Sequence, residues 1–138
     1  MKKIFVYLLF IGIAVSTISC NKEDTLIGYW KINSTTQNGR SISAIEGCPY
    51  NPGNFFAFFS EKSLSISALI NNTWYESTYG AWELKKNGKK LDGYFVLRSR
   101  RYDFSATVEK LTKRRLKIQF TDNHGDKWII EFDSRSNY

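Results

Sequence analysis

Tyr102-Asp103-Phe104-Ser105-Ala106-Thr107-Val108-Glu109 decides the fold. Its apolar residues occupy every second position, and in an extended chain that period puts them on one face. The same period continues outward in both directions. Downstream, Leu116, Ile118 and Phe120 alternate with Arg115, Lys117, Gln119 and Thr121, and Trp128, Ile130 and Phe132 close the series. Upstream, Leu64, Ile66, Ala68 and Ile70 alternate with serines and Leu69, and Gly80, Trp82 and Leu84 share a face. Leu26, Gly28, Trp30 and Ile32 share another. Leu91 to Arg98 is apolar on both faces apart from its ends, and Trp74 to Tyr79 reads as a short aromatic and polar strand. No window after residue 20 carries a helical period.

The punctuation between these runs is that of hairpins. Asn87-Gly88 is the strongest signal, because the tightest hairpin turn needs positive φ at both central residues. Asn71-Asn72, Thr112-Lys113 and Asn123-His124-Gly125-Asp126 supply others. Strands about ten residues apart with short connections predict a single antiparallel up-and-down meander, a β-barrel of about eight strands, whose closure removes exposed edges. Ser34 to Asn54 breaks the rhythm. It holds Gly39, Gly47, Pro49, Pro52 and Gly53, and only Ser41 to Ile45 could form a short strand, so it reads as a long loop of the kind that carries function.

The chain opens differently. Lys2 and Lys3 precede an apolar run from Ile4 to Ile18, and Thr17-Ile18-Ser19 leads to Cys20. At about fifteen residues the run is short for a membrane span, which needs roughly 20. It resembles the signal peptides of bacterial lipoproteins, in which a small residue precedes a lipidated cysteine. That resemblance implies removal of residues 1–19, acylation of Cys20 and a tether over 20–25, with the domain in 26–138. Two or three acyl chains hold a protein stably on a bilayer. Asn21-Lys22-Glu23-Asp24 resembles the export tag of surface-exposed lipoproteins in some Gram-negative bacteria, which implies an outer-membrane protein facing outward. Asp24-Thr25-Leu26 matches a short O-glycosylation pattern of that bacterial group, which makes Thr25 the candidate acceptor.

Composition sets bounds. The 138 residues carry 20 basic and 13 acidic side chains, and without Lys2 and Lys3 the net charge falls from +7 to +5. Arg98, Arg100 and Arg101, then Lys110, Lys113, Arg114, Arg115 and Lys117, form the densest basic stretch. It reads as the solvated face of strands, with no nucleic acid expected as a partner. There are two cysteines, so a lipidated Cys20 leaves Cys48 without a disulfide partner and the domain relies on its core. His124, the only histidine, lies in a turn. No His, Cys and carboxylate set has metal-ligand spacing, no cofactor motif occurs, and nothing pairs a nucleophile with a base. The expectation is a monomer that is not an enzyme.

Gly28-Tyr29-Trp30, within Leu26-Ile27-Gly28-Tyr29-Trp30-Lys31-Ile32, resembles the Gly-x-Trp signature of lipocalins. Gly80-Ala81-Trp82-Glu83-Leu84 is similar to a mid-chain strand of the short bacterial lipocalin-like lipoproteins. In that family the tryptophan plugs the closed barrel end and a late arginine packs over it, for which Arg135 is the nearest candidate. The resemblance implies a small apolar or amphipathic ligand bound in a dry cavity among Trp30, Ile66, Tyr94, Phe104 and Trp128. The alternative is a solid barrel that binds a protein, including an enzyme as inhibitor, or a glycan through the 34–54 loop. Its contact surface would be Tyr50, Phe56 and Phe58, because four rings among Phe55, Phe56, Phe58 and Phe59 cannot all face one side.

Overall fold

A computed structural model of the protein describes residues 22–135. Cys20 and the apolar run before it lie outside the described residues. The strands are β1 (Gly28–Gln37), β2 (Arg40–Ile42), β3 (Phe55–Phe58), β4 (Leu64–Ile70), β5 (Thr73–Glu76), β6 (Tyr79–Lys85), β7 (Lys90–Leu97), β8 (Arg100–Leu111), β9 (Arg115–Thr121) and β10 (Lys127–Ser134). All pair antiparallel in one sheet of order β5-β4-β3-β1-β10-β9-β8-β7-β6, with β2 hanging on β1.

The ends of that order meet. β5 and β6 are halves of one bent stave, interrupted at Ser77-Thr78. At the break the chain changes neighbour. The Ser77 N–H donates to the Ile66 carbonyl of β4 (2.9 Å), and the Thr78 N–H donates to the Val96 carbonyl of β7 (2.9 Å). Below it β6 returns to β4, with a Ser63–Ala81 bridge and the Trp82 N–H on the Lys62 carbonyl at 3.0 Å. With β5 and β6 taken together and β2 set aside, the described residues form a meander barrel of eight staves, as the alternation predicts.

Glycine makes the seam. A Cβ on Gly80 would lie 2.2 Å from the Leu64 carbonyl oxygen, so only glycine lets β6 come this close to β4. Gly93 plays a related part inside, where the ring of its cross-strand partner Phe104 occupies the space a Cβ would need (2.4 Å).

The interior is filled by alternate residues of every stave, including Trp30, Ile32, Phe56, Phe58, Ile66, Trp82, Leu91, Phe95, Phe104, Leu116, Ile118, Trp128, Ile130 and Phe132, all buried. An eight-stave barrel is just wide enough for side chains to fill, and here they do. Bulges between Ile32 and Ser34 of β1 and between Val108 and Lys110 of β8 tighten the local twist.

Three expectations are corrected. The long loop starts later than Ser34, because β1 runs to Gln37 and turns back through Asn38-Gly39, both at positive φ, into β2. The connection at Asn87-Gly88 is four residues long, Lys86 to Lys89, with pairing resumed at Lys85–Lys90. The tether is no free linker from residue 22 onward. Residues 22–26 make a helical turn that seats Leu26 fully in the core.

Gly80→Ala is expected to cost about 2 kcal/mol or more, since its neighbour is backbone that cannot move aside. Ser67→Ala, on the outer face, should stay within about 0.5 kcal/mol. Urea unfolding of the two variants against the parent checks the difference.

Candidate functional site

The two barrel ends differ in how they are sealed. At one end the indole N–H of Trp30 donates to the Leu26 carbonyl (2.8 Å) and that of Trp82 to the Phe59 carbonyl (3.1 Å). Both tryptophans of the Gly-x-Trp stretches therefore sit at the same end, buried and satisfied, with Phe58 edge-on to Trp82 at 5.7 Å. The helical turn is clamped over them. Lys22 Nζ donates to the Asn87 carbonyl (2.7 Å), and Glu23 is ion-paired with Lys62. The Lys62 ammonium lies 4.4 Å from the Trp82 ring centre. Thr25 is half-buried in this turn. Arg135 reaches the same end through its backbone N–H, which donates to the Tyr29 carbonyl at 2.7 Å.

The other end, the mouth, is sealed by a loop residue. Tyr50, in the Pro49-Tyr50-Asn51-Pro52-Gly53 stretch, inserts its ring into the barrel and is buried. It meets Trp128 (5.0 Å), Phe120 (5.3 Å), Phe95 (6.2 Å), Tyr102 (6.2 Å) and Phe56 (6.4 Å), mostly edge to face. That geometry suits ring quadrupoles. Burial pushes the Tyr50 phenol far above the ordinary tyrosine value, with Cys48, Tyr102 and Asp122 adding to the rise.

The strap from residue 43 to 54 holds Tyr50 in place by satisfied polar groups. Thr35, itself buried, donates its hydroxyl to the Tyr50 carbonyl at 2.6 Å. Buried Asn54 donates to the Pro49 carbonyl (3.1 Å) and accepts from the Leu69 N–H (3.0 Å), which ties the strap to β4. Asn51 closes a ring with Ile45, donating to its carbonyl (2.7 Å) and accepting from its N–H (2.9 Å).

Beside the strap lies a pocket of about 400 Å³ whose walls include Ile45, Cys48, Tyr50, Arg100, His124 and Trp128. Burial pushes the Cys48 thiol above the ordinary cysteine value, against smaller lowering influences from a Tyr50 backbone contact and the Arg100 charge. It is a neutral thiol at pH 7, weak as a nucleophile. Across the pocket the Asp122 carboxylate accepts from the Trp128 indole (2.9 Å) and from the N–H groups of His124 (2.9 Å) and Asp126 (3.0 Å). Partial burial pushes Asp122 up, but these donors outweigh it and hold the carboxyl below the ordinary aspartate value. Among the described residues no group of three or more His, Cys, Asp or Glu is placed to hold a metal.

The five predicted ligand residues do not line one cavity: Tyr94 and Phe104 share a recess of about 500 Å³ over Gly93, which Trp30, Ile66 and Trp128 do not reach. Trp30, Ile66, Phe104 and Trp128 are packed core, and Tyr94 is on the other face of β7. The cause is the two-residue period: Leu91, Gly93, Phe95 and Leu97 take the inward positions, and Tyr94 stacks outside under Arg101 at 4.2 Å. The predicted contact residues are also displaced. Tyr50, Phe56 and Phe58 are all buried, and their neighbours Phe55 and Phe59 take the outer face. An exposed apolar patch is formed instead by Leu69 and Trp74, paired across β4 and β5, with half-buried Phe55 beside them, its ring 5.9 Å from that of Trp74. Trp74 is 52% exposed and Leu69 44%. The role of Tyr50 was missed because a residue between prolines reads as solvent-facing. The only signal was a large ring in a stretch otherwise small and polar.

Tyr50→Ala is expected to cost about 3–5 kcal/mol and to open the mouth to an apolar dye, whereas Tyr50→Phe should cost under about 1.5 kcal/mol. Thermal melts and dye fluorescence check both. Because the Asp122 pKa is lowered in the folded state, its contribution to stability is complete above the ordinary aspartate value near 3.9 and is lost as pH falls through the lower folded value. Asp122→Asn should flatten that part of the stability–pH curve below about pH 4.

No protein-family model matches the chain, and no curated protein matches it. Among solved structures it is similar to a redesigned β-barrel, with 14% identity, a TM-score of 0.53, and coverage of 82% of this chain and 94% of that one. That likeness supports the β-barrel fold and nothing finer.

Proposed function

We propose that the protein is a lipocalin-like envelope lipoprotein, anchored to a bilayer through acylated Cys20 and facing outward from the outer membrane, that acts through the surface of a solid barrel. It engages a protein or glycan and carries no small molecule in its interior. The observation that carries this reading is Tyr50, which fills the mouth with five aromatic neighbours and leaves the interior to side chains. The contact is assigned to Phe55, Leu69 and Trp74, because an exposed tryptophan flanked by apolar residues is the residue type that anchors interfaces. The tether is supported by the apolar run ending at Cys20 and by the placement of residue 22 at one barrel end.

Two measurements test it. The intact mass of protein isolated from host membranes should lack residues 1–19 and carry acyl chains, and Cys20→Ser should abolish that addition. An unmodified cysteine refutes the anchor. Native mass spectrometry should show no small molecule that leaves on denaturation, and cross-linking on intact cells should lose its product in Trp74→Ala while the melting temperature is kept. A stoichiometric bound small molecule would restore the carrier reading.

A further inference from the structure

The basic stretch that looks continuous in sequence is divided by the fold. Arg98, Arg100 and Arg101 lie at the mouth, where they stack on Tyr75 (4.6 Å), Tyr102 (5.0 Å) and Tyr94 (4.2 Å). β8 then runs the length of the barrel, so Lys113, Arg114 and Arg115 emerge at the tryptophan-sealed end. There they join Lys86 and Lys89 of the β6–β7 connection. Lys86, Lys89, Lys113 and Arg114 are exposed and have no acidic partner among the described residues. Arg115 is matched by Asp133 (3.5 Å), Lys62 by Glu23, and Lys85 by Asp92 (3.1 Å) and Glu83 (3.7 Å). Asp24 and Glu61 are further acids of this end, as is Glu109, which is matched by Lys117 (3.6 Å).

This is also the end at which the first described residue, Lys22, lies. Lys22 lies across Gly88 and binds the Asn87 carbonyl, so the first described residue sits beside Lys86 and Lys89. A cleft of about 740 Å³ opens between Asp24, Thr25 and Ile27 on one side and Lys113, Arg114 and Arg115 on the other, with Asp133, paired with Arg115, and Ser134 completing its wall, so that Lys113 and Arg114 are its unmatched cations.

We infer that the tryptophan-sealed end is a membrane-facing surface that seats on the phosphate groups of anionic lipid headgroups, with Lys86, Lys89, Lys113 and Arg114 as their contacts and the cleft as the recess that admits them. Basic side chains held within a Debye length of an anionic surface are attracted to it, and the attraction is screened by salt. The barrel then stands with its mouth, strap and Trp74 patch pointing away from the lipid. The inference rests on the proposed tether only for holding this end, where Lys22 lies, near a bilayer.

Hydrogen exchange of the protein as isolated from membranes tests it. The protein is reconstituted on vesicles of phosphatidylglycerol and phosphatidylcholine in equal parts, or of phosphatidylcholine alone. On the anionic vesicles residues 86–89 and 112–114 should exchange at least tenfold more slowly than on the neutral ones. The mouth turns at 98–99 and 122–126 should not change, and high salt should remove the protection. Lys89→Glu/Lys113→Glu should lose most of the protection, whereas the matched pair Arg40→Glu/Lys127→Glu, away from this end, should keep it. Equal exchange on both vesicles, or protection that ignores salt and the first pair, overturns the inference. Protection without acyl mass on Cys20 sustains it and removes the tether instead, and acyl mass without protection does the reverse.

Discussion

Closure of the sheet where β6 returns to β4 is the constraint from which the rest follows. Eight staves joined edge to edge enclose a volume that side chains can fill, and the closure depends on Gly80 passing close to the Leu64 carbonyl. A side chain there would push β6 off β4 and leave both edges open. The break at Ser77-Thr78 serves the same end, because one stave must satisfy β4 above and β7 below. Once the sheet is closed, the inward residues meet across a short diameter. Large rings such as Phe56, Phe95, Phe104 and Phe132 can then make the core without a helix layer.

Closing the sides leaves two ends, and each is sealed by a different device. At one end the indoles of Trp30 and Trp82 are covered by a helical turn whose Leu26 carbonyl accepts from Trp30 and whose Lys22 and Glu23 bind Asn87 and Lys62. At the other a single ring, Tyr50, is brought in by a strap whose buried polar atoms are answered by Thr35 and Asn54. The cost of burying that loop backbone is offset by these bonds and by the aromatic contacts around the ring. The outcome is an asymmetric object: a basic end where Lys22, the first described residue, is held, and an aromatic, charge-balanced mouth.

Period-two alternation and the two Gly-x-Trp stretches made the barrel legible, because each reports a local geometric need. Turns rich in Asn and Gly were legible for the same reason. Arg98-Ser99 was not, since both residues adopt positive φ without belonging to the types that favour it. Leu26 was legible as inward-facing but not as helical, because a single helical turn carries no period of its own.

What the amino-acid sequence by itself determined was therefore the strand series, its inward face and the apolar segment before Cys20, since these depend on the order of residue types along the chain. The tertiary structure alone decided that Tyr50 lies within the core, that Tyr94 lies outside it, and that one basic stretch serves two opposite ends. Each of these depends on which stave meets which across the barrel, and that pairing joins residues that the chain keeps far apart.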